Sequence, residues 1–157
     1  MKSRIGFVVG LCLVATTAYA QQPTDTTRSQ KRVIHLPGSL PGLPFSSAVQ
    51  IGNVLYLSGQ IGVLPGTRQL VDTGVTKQTQ QTLENIRAVL TYAGSSLERV
   101  FKCTVFLANM RDYDQMNRVY ATFFPKDPPA RSTVAGSGLA LGAKVEIECL
   151  ALAGGGA

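Results

Sequence analysis

Histidine, tryptophan and cysteine are scarce in this 157-residue sequence, which has one histidine, three cysteines and no tryptophan. The single histidine, His35, excludes any metal centre or proton relay that needs two imidazoles. A nucleophile–histidine–acid triad would have to recruit this residue from the lead-in to the domain, which argues against such a triad. The cysteines form no CxxC pair and no metal-ligand spacing. The sequence therefore predicts no metal site.

Acidic residues are also few, since nine Asp and Glu stand against fifteen Lys and Arg, for a formal net charge of +6. The basic residues are scattered, and the one cluster, RSQKRV at 28–33, is typical of a solvated segment. A nucleic-acid surface needs basic groups interleaved with exposed aromatic side chains. The sequence has no such stripe, and we expect no nucleic-acid partner.

The first 20 residues have the layout of a secretory signal peptide. Lys2 and Arg4 precede the apolar run IGFVVGLCLVATT, and AYA stands before Gln21. The run is shorter than the roughly 20 apolar residues that a membrane span needs. We expect cleavage after Ala20, a periplasmic or secreted protein, and no membrane attachment after cleavage.

Two cysteines, Cys103 and Cys149, remain after this cleavage, and both lie in apolar, strand-like runs. An exported protein can oxidise such a pair. Free cysteine is nevertheless among the most frequently buried residue types, and a domain of this size does not need a covalent staple. We therefore expect both cysteines to be reduced, buried thiols.

The spacing of apolar residues predicts one α+β domain, with a mixed sheet and two helices on one of its faces. Gly94 is expected to end the first helix. Asp112 is expected to cap the second, with Gln115 completing a capping box. The predicted helices are 75–94 and 112–124, and the predicted strands are 32–36, 48–52, 54–62, 99–108, 131–136 and 143–152.

Alternation along the last strand, KVEIECLAL, places its glutamates and leucines on one face and Val145 and Cys149 on the other. The strand 99–108 is a continuous apolar run and is predicted to be buried on both faces. Two helices on one side leave the second face of the sheet without a cover, although it carries leucines and valines. For one small domain, we expect another copy of the chain to cover it.

Arg131 follows two prolines in PPARSTVAG, and no acidic residue comes after it until Glu146. A charged group in apolar surroundings is costly unless it is paired. We expect the strands of Arg131 and Glu146 to be neighbours. Two interpretations stay open: a structural ion pair at a strand end, and a pair of groups that act on a ligand.

Five stretches follow one another in a distinctive order: LPFSSAVQIGNVLYLSGQIG, TLENIRAVLTYAG, KCTVFLANMRDYDQMNRVYATFF, PPARSTV and KVEIECLALA. In order and spacing they resemble the RidA/YjgF/L-PSP family, from about Pro37 to Ala153. The SGQIG stretch, the PARS arginine and the VEIE strand are specific in combination. The resemblance implies a family domain at 37–153, after a signal peptide at 1–20 and a lead-in with the first strand at 21–36.

The resemblance implies a chorismate-mutase-like α+β fold that assembles as a homotrimer, with the sheets inward and active sites in clefts between subunits. It also implies an enamine/imine deaminase, which hydrolyses 2-imino and 2-enamino acids to 2-oxo acids and ammonia without a metal or organic cofactor. A non-catalytic trimer that binds small molecules or proteins stays open, because fold alone does not fix function. The endoribonuclease activity of the family's older name is a further alternative, against which the single histidine argues.

By the resemblance, the PARS arginine is Arg131, which binds the substrate carboxylate. A guanidinium offers a carboxylate a planar two-donor fork and stays charged. The glutamate of the family's IEIE strand is Glu146, which places or polarises water. The serine of the SGQ strand is Ser58 and the helix asparagine is Asn117, and both are expected to bind substrate.

The sequence departs from the family pattern at two further substrate-binding positions. Phe45 stands where many members have the tyrosine of a PYS motif. Thr133 stands where many members have a cysteine, two residues after the arginine. The departures keep the shape of the predicted pocket, but they remove a phenol and a thiol and so bear on substrate preference and rate.

Overall fold

A computed structural model describes residues 30–154 of the chain. The predicted signal peptide and residues 21–29 of the lead-in lie outside the described residues. Within 30–154, no helix is long and apolar enough to cross a membrane. The strands are β1 (Arg32–Ile34), β2 (Ala48–Ile51), β3 (Val54–Leu57), β4 (Gln60–Ile61), β5 (Val100–Leu107), β6 (Ala130–Ala135) and β7 (Val145–Leu152), and the helices are α1 (Val75–Tyr92) and α2 (Tyr113–Phe123).

The strands form one mixed sheet in the order β1-β2-β3-β7-β5-β6, and the short β4 pairs with β7. Every pairing is antiparallel except that of β5 with β6. Parallel neighbours need a long crossover connection, and α2 lies in that connection. The predicted α+β plan is confirmed. The prediction that the strands of Arg131 and Glu146 are neighbours is wrong, because β7 pairs along its length with β5 and leaves β6 at the edge.

Both helices lie on one face of the sheet, as predicted. α1 buries Leu83, Ile86 and Leu90, and burying one such side chain contributes about 1.5–3 kcal/mol. The residues of β7 alternate between buried and more exposed positions, as the sequence predicts. The guanidinium of Arg87 in α1 lies 4.9 Å from the centre of the Phe123 ring in α2, so the two helices also contact each other.

The face of the sheet away from the helices is open, and we call it the open face. β5 contributes half-buried residues such as Thr104 and Phe106 to it. The prediction that β5 is buried on both faces is therefore wrong for a single chain, because no element of residues 30–154 covers this side. Contiguous exposed apolar side chains mark an interaction surface. The exposed apolar residues of the open face are Val33, Ile51, Tyr56, Val134 and Leu152.

The predicted end of the first helix is accurate and the predicted start of the second is not. Gly94 has φ +78°, which is the left-handed conformation of a helix stop. The side chain of Asp112 makes no capping hydrogen bond. Asn109 caps instead, because it starts a 3₁₀ turn (Met110–Asp112) ahead of α2 and accepts a backbone hydrogen bond of 2.9 Å. Asp112 is therefore already inside helical backbone.

Cys103 and Cys149 form a disulfide, so the prediction of two reduced thiols is wrong. The two residues are cross-strand partners in the antiparallel ladder of β5 and β7, and their Cα atoms are 4.1 Å apart. Such close pairs bring two sulfur atoms within bonding reach. Both residues are buried. Burial was predicted correctly, but burial alone does not distinguish a thiol from a disulfide, whereas strand register does.

Candidate functional site

Arg131 lies near the start of the edge strand β6, and its side chain points to the helix side of the sheet. Its neighbour in β5 is Cys103, which is buried beneath the helices. The Nη2 group donates hydrogen bonds to Oδ1 of Asn117 at 2.6 Å and to the hydroxyl of Tyr113 at 3.3 Å. The guanidinium also lies over the ring of Tyr120, 4.6 Å from its centre. The helix α2 thus holds the guanidinium in place.

The three partners of Arg131 share one face of α2 because of their spacing. Tyr113, Asn117 and Tyr120 stand at positions i, i+4 and i+7, which recur on one side of a helix. In the sequence, both tyrosines fit the apolar stripe of the helix, and that pattern indicates packing rather than polar contacts. Their part in the site was therefore not predicted. The available signal was the position of Asn117 between two tyrosines on the same face.

None of the side chains that contact Arg131 is acidic. Within residues 30–154, the ion pairs join Lys77 to Asp72 and Arg87 to Glu84. Amide and phenol dipoles and an aromatic ring orient the guanidinium without neutralising its charge. A structural ion pair between Arg131 and Glu146 therefore does not form within the described chain.

A depression of about 460 Å³ opens beside Arg131. Pockets for small molecules are typically apolar, with a few placed polar groups that fix orientation. This depression has that composition, since Arg131 and Asn117 are its charged and amide groups. Its other walls are formed by Tyr120, Ala121, Phe124, Pro128 and Pro129.

Two buried hydroxyl groups of this region, Oη of Tyr120 and Oγ1 of Thr133, have no hydrogen-bond partner within the described residues. An unpaired buried hydroxyl costs about 1–3 kcal/mol, so each can gain by bonding a ligand or a water. Burial raises the pKa of Tyr120 to about 12, against the opposing effect of the charge on Arg131. Hydrogen bonding to Asn117, and then to Arg131, lowers the pKa of Tyr113.

Glu146 lies on the open face, in β7, where its neighbours in the adjoining strands are Phe106 and Ile61. Burial, and then the charge of Glu148 on the same side of the strand, raise the pKa of the Glu146 carboxyl above its ordinary value. Gly59 makes room for this carboxylate, because a Cβ atom at that position would collide with it. The glycine of SGQIG therefore permits the close approach of β7.

Ser58 and Phe45 are tied to the same region as Gly59. The hydroxyl of Ser58 donates a hydrogen bond of 2.6 Å to the backbone oxygen of Ser46, and Phe45, the preceding residue, is 55% exposed. Neither side chain is a hydrogen-bond partner of Arg131. Within 30–154, no group of three or more His, Cys, Asp or Glu side chains is arranged to hold a metal ion.

The predicted site residues thus divide into two groups. The arginine group consists of Arg131, Asn117 and Thr133 on the helix side of β6, and the glutamate group consists of Glu146 and Ser58 with Phe45 nearby. In the sheet, Glu146 pairs with Phe106 of β5, and Phe106 pairs on its other side with Val134 of β6. Val134 is three residues along β6 from Arg131. From the standard dimensions of a sheet, the Cα atoms of Arg131 and Glu146 are about 14 Å apart. One chain does not bring both groups to one small substrate.

Comparisons with known proteins identify one family of relatives for this chain. A family model described as endoribonuclease L-PSP matches residues 39–153. The 2-iminobutanoate/2-iminopropanoate deaminase of Mus musculus is 40% identical over 111 residues, 71% of this chain and 82% of that protein. The protein of the same name from Dermatophagoides farinae is 40% identical over 123 residues, 78% of this chain and 96% of that protein. The chloroplastic Reactive Intermediate Deaminase A of Arabidopsis thaliana is 41% identical over 108 residues, 69% of this chain but only 58% of the longer plant protein.

Solved structures share the fold. The Rid-family protein YyfA from Yersinia pestis has a TM-score of 0.73 at 42% identity, covering 78% of this chain and 99% of YyfA. RidA from the Antarctic bacterium Psychrobacter sp. PAMC 21119 has a TM-score of 0.71 at 34% identity, covering 76% of this chain and 97% of that one. E. coli TdcF, solved with bound serine, has a TM-score of 0.70 at 33% identity, covering 77% and 98%. The fold expected from the resemblance is confirmed.

Proposed function

The chain belongs to the RidA/YjgF/L-PSP family and is an enzyme that acts on C–N bonds, and from this premise we propose that it is an enamine/imine deaminase. Its substrates are 2-imino and 2-enamino acids. A 2-enamino acid first becomes the 2-imino acid by moving a proton from its nitrogen to its β-carbon. A water oxygen then adds to the carbon of the C=N bond, the protons of the water pass to the nitrogen, and the C–N bond breaks to release a 2-oxo acid and ammonia. Curated relatives at about 40% identity carry this activity in their names, which supports the proposal.

The charge of Arg131 is the observation that carries the proposal, because no acidic side chain pairs with it in residues 30–154. A carboxylate matches the planar fork of a guanidinium. Asn117 and Tyr113 fix the plane of the guanidinium, and the depression beside it offers space for the rest of a small acid. TdcF was solved with serine, an amino acid that carries the same α-carboxylate, which adds support.

Glu146 is proposed as the group that positions and activates water. A general base works best with a pKa near the working pH, and burial shifts the pKa of Glu146 in that direction. Imines also hydrolyse unaided in water, so orientation plus a base contribution of about 10²–10⁴-fold is sufficient, and the reaction needs no cofactor. Ser58, Phe45, Asn117 and Thr133 remain proposed substrate contacts.

The separation of the two groups supports a site that forms between copies of the chain. We propose a homotrimer in which the arginine group of one copy and the glutamate group of the next meet in a cleft. The open face carries exposed apolar side chains that need a cover. Covering this face and completing the site would then be one event.

The proposed activity is tested by ammonia release from imino acids that are generated in the assay from several amino acids, with semicarbazide trapping as a second readout. Arg131→Ala should abolish the activity. Arg131→Lys keeps the charge but loses the fork, so kcat/KM should fall at least about tenfold at an unchanged melting midpoint. Arg118→Ala, which removes an exposed arginine of α2, is the matched control and should change neither quantity.

Three results would contradict the proposal. Full activity of Arg131→Ala would remove the arginine from the mechanism. Binding of imino acids without faster ammonia release would favour the non-catalytic trimer. Cleavage of RNA without deamination would favour the activity named in the description of the family model.

We also propose that the mature chain works outside the cytoplasm, in the periplasm or as a secreted protein. The signal-peptide layout of residues 1–20 and the disulfide between Cys103 and Cys149 support this, because disulfides persist in oxidising compartments. N-terminal sequencing of the exported protein should begin at Gln21. An uncleaved chain recovered only from the cytoplasm would refute the assignment.

A further inference from the structure

The hydrogen bonds of Arg131 are concentrated on one nitrogen. Nη2 donates to both Asn117 and Tyr113, whereas no bond from Nη1 or Nε is found within the described residues. A guanidinium has two forks for a carboxylate, one formed by Nη1 with Nη2 and one by Nε with Nη2, and Nη2 belongs to both. A carboxylate that accepts two parallel hydrogen bonds must therefore take one N–H of Nη2 from a present partner.

The two partners of Nη2 differ in how easily they can be replaced. The bond to Asn117 is 2.6 Å long, whereas the contact with the hydroxyl of Tyr113 is 3.3 Å, beyond the usual range for an N–H to O bond. A phenol can also donate, while the amide oxygen of Asn117 can only accept. If the contact between Nη2 and the hydroxyl of Tyr113 breaks, this hydroxyl can rotate and donate to the arriving carboxylate, so that no polar group loses a partner.

We propose that Tyr113 is a substrate-binding residue that exchanges its contact with Nη2 of Arg131 for a hydrogen bond to the carboxylate of the substrate. The inference rests on the proposed function, because it assumes a carboxylate at Arg131. It assigns a phenol to the arginine group, although Phe45 lacks the phenol that many members of the family have. The hydroxyl stays on Tyr113 throughout, and no covalent bond changes.

Tyr113→Phe tests the proposal, because it keeps the ring beside Arg131 and removes only the hydroxyl. The probe is 2-oxobutanoate, an unreactive carboxylate of the product type, and its Kd is measured by titration calorimetry. We expect the Kd to rise about tenfold or more, as for loss of a hydrogen bond to a charged group. In the deamination assay, KM should rise and kcat should change little, because the bond is present in both ground and transition states.

Two controls separate this role from a structural one. The melting midpoint of Tyr113→Phe should match that of the wild type, and the uncharged 2-oxobutanamide should bind both proteins equally. Tyr92→Phe removes the hydroxyl of an exposed tyrosine at the end of α1 and should leave the Kd unchanged.

The outcomes distinguish this inference from the proposed function. Equal affinity of wild type and Tyr113→Phe for 2-oxobutanoate overturns the inference, whatever the activity. A wild type that binds 2-oxobutanoate but releases no ammonia refutes the proposed function. The affinities of wild type and Tyr113→Phe for 2-oxobutanoate then still decide the inference about Tyr113. A wild type that does not bind 2-oxobutanoate overturns the inference, and the ammonia-release assay then decides the proposed function separately.

Discussion

Arg131 and Glu146 lie on opposite faces of one sheet, with β5 between the strands that carry them. In a 2-imino acid, the imine carbon is bonded directly to the carboxylate carbon. A water that attacks this carbon must therefore reach an atom close to the guanidinium that binds the carboxylate. The sheet separates Glu146 of the same chain from that position, so in the proposed mechanism the glutamate comes from another copy.

Two inactive variants should therefore restore each other's activity. In the proposed trimer, each site of a mixed assembly of Arg131→Ala and Glu146→Gln chains would take its arginine from one chain and its glutamate from a neighbour. In an equal random mixture, about one site in four has both native groups, because half of the sites have a native arginine and half of those have a native glutamate in the neighbouring chain. This holds for every site, since all interfaces of a cyclic trimer are equivalent. Ammonia release by the co-expressed, co-purified protein should reach about a quarter of the wild-type rate.

The parents, purified separately and mixed without exchange of subunits, are the control and should stay inactive. Co-expressed protein as inactive as its parents would place both groups of a site in one chain, against the geometry of the sheet.

The open face should hold the copies together. Leu150 lies on this face opposite the exposed Tyr56, so Leu150→Asp would put a charge into the proposed interface, where an unpaired charge is costly. Light scattering at micromolar concentration should give three chain masses for the wild type and one for Leu150→Asp, with loss of activity. Tyr92→Asp, on an exposed helix end, should remain a trimer. A monomeric wild type would contradict the assembly and the shared site together.

Local spacing made part of this arrangement predictable. The alternation of β7 and the helical period of α1 depend only on neighbouring residues, which report the buried face directly. The order of the strands depends on distant parts of the chain. Nothing in the sequences of β6 and β7 says that β5 lies between them. The sequence could therefore single out Arg131 and Glu146 as separate candidates, while the expectation that their strands are neighbours was wrong.

Register explains the other differences as well. The sequence indicated that Cys103 and Cys149 are buried, but only the pairing of β5 with β7 shows that they face each other. On α2, the tyrosines beside Asn117 were hidden in an apolar stripe, because a tyrosine carries both an apolar ring and a polar hydroxyl. Their contacts depend on where β6 places Arg131.

The disulfide should contribute substantially to stability. It joins residues 46 positions apart, and closing a loop of this length stabilises a folded chain by about 2–4 kcal/mol. The double variant Cys103→Ala/Cys149→Ala should lose free energy of unfolding in that range, measured at the same protein concentration as the wild type. Denatured mature protein, which by the proposed cleavage starts at Gln21 and so lacks Cys12, should not react with a thiol-alkylating reagent until it is reduced. Alkylation of both cysteines without reduction would contradict the disulfide.

The charge of Glu148 should influence the pH at which the enzyme loses activity in acid. A general base acts only when ionised, so kcat/KM should fall as the pH drops through the pKa of Glu146. Burial is the larger cause that raises this pKa above 4.5, and the charge of Glu148 is the next. The acid limb of the profile should therefore lie above pH 4.5. In Glu148→Gln the repulsion is absent, so the limb should move to lower pH while the plateau at higher pH stays unchanged.

The raised pKa of Glu146 should also make the free energy of unfolding depend on pH. The folded chain binds the Glu146 proton more tightly than the unfolded chain. The stability that this proton contributes is therefore fully present below the unfolded pKa and is lost as the pH rises through the folded pKa.

Glu98→Gln is the matched control for Glu148→Gln in the activity profile. Hydrogen bonding from Ser96 lowers the pKa of Glu98, and Glu98 lies away from the site, so its removal should leave the acid limb in place. An acid limb that Glu148→Gln does not move would mean that the limb reports a group other than Glu146.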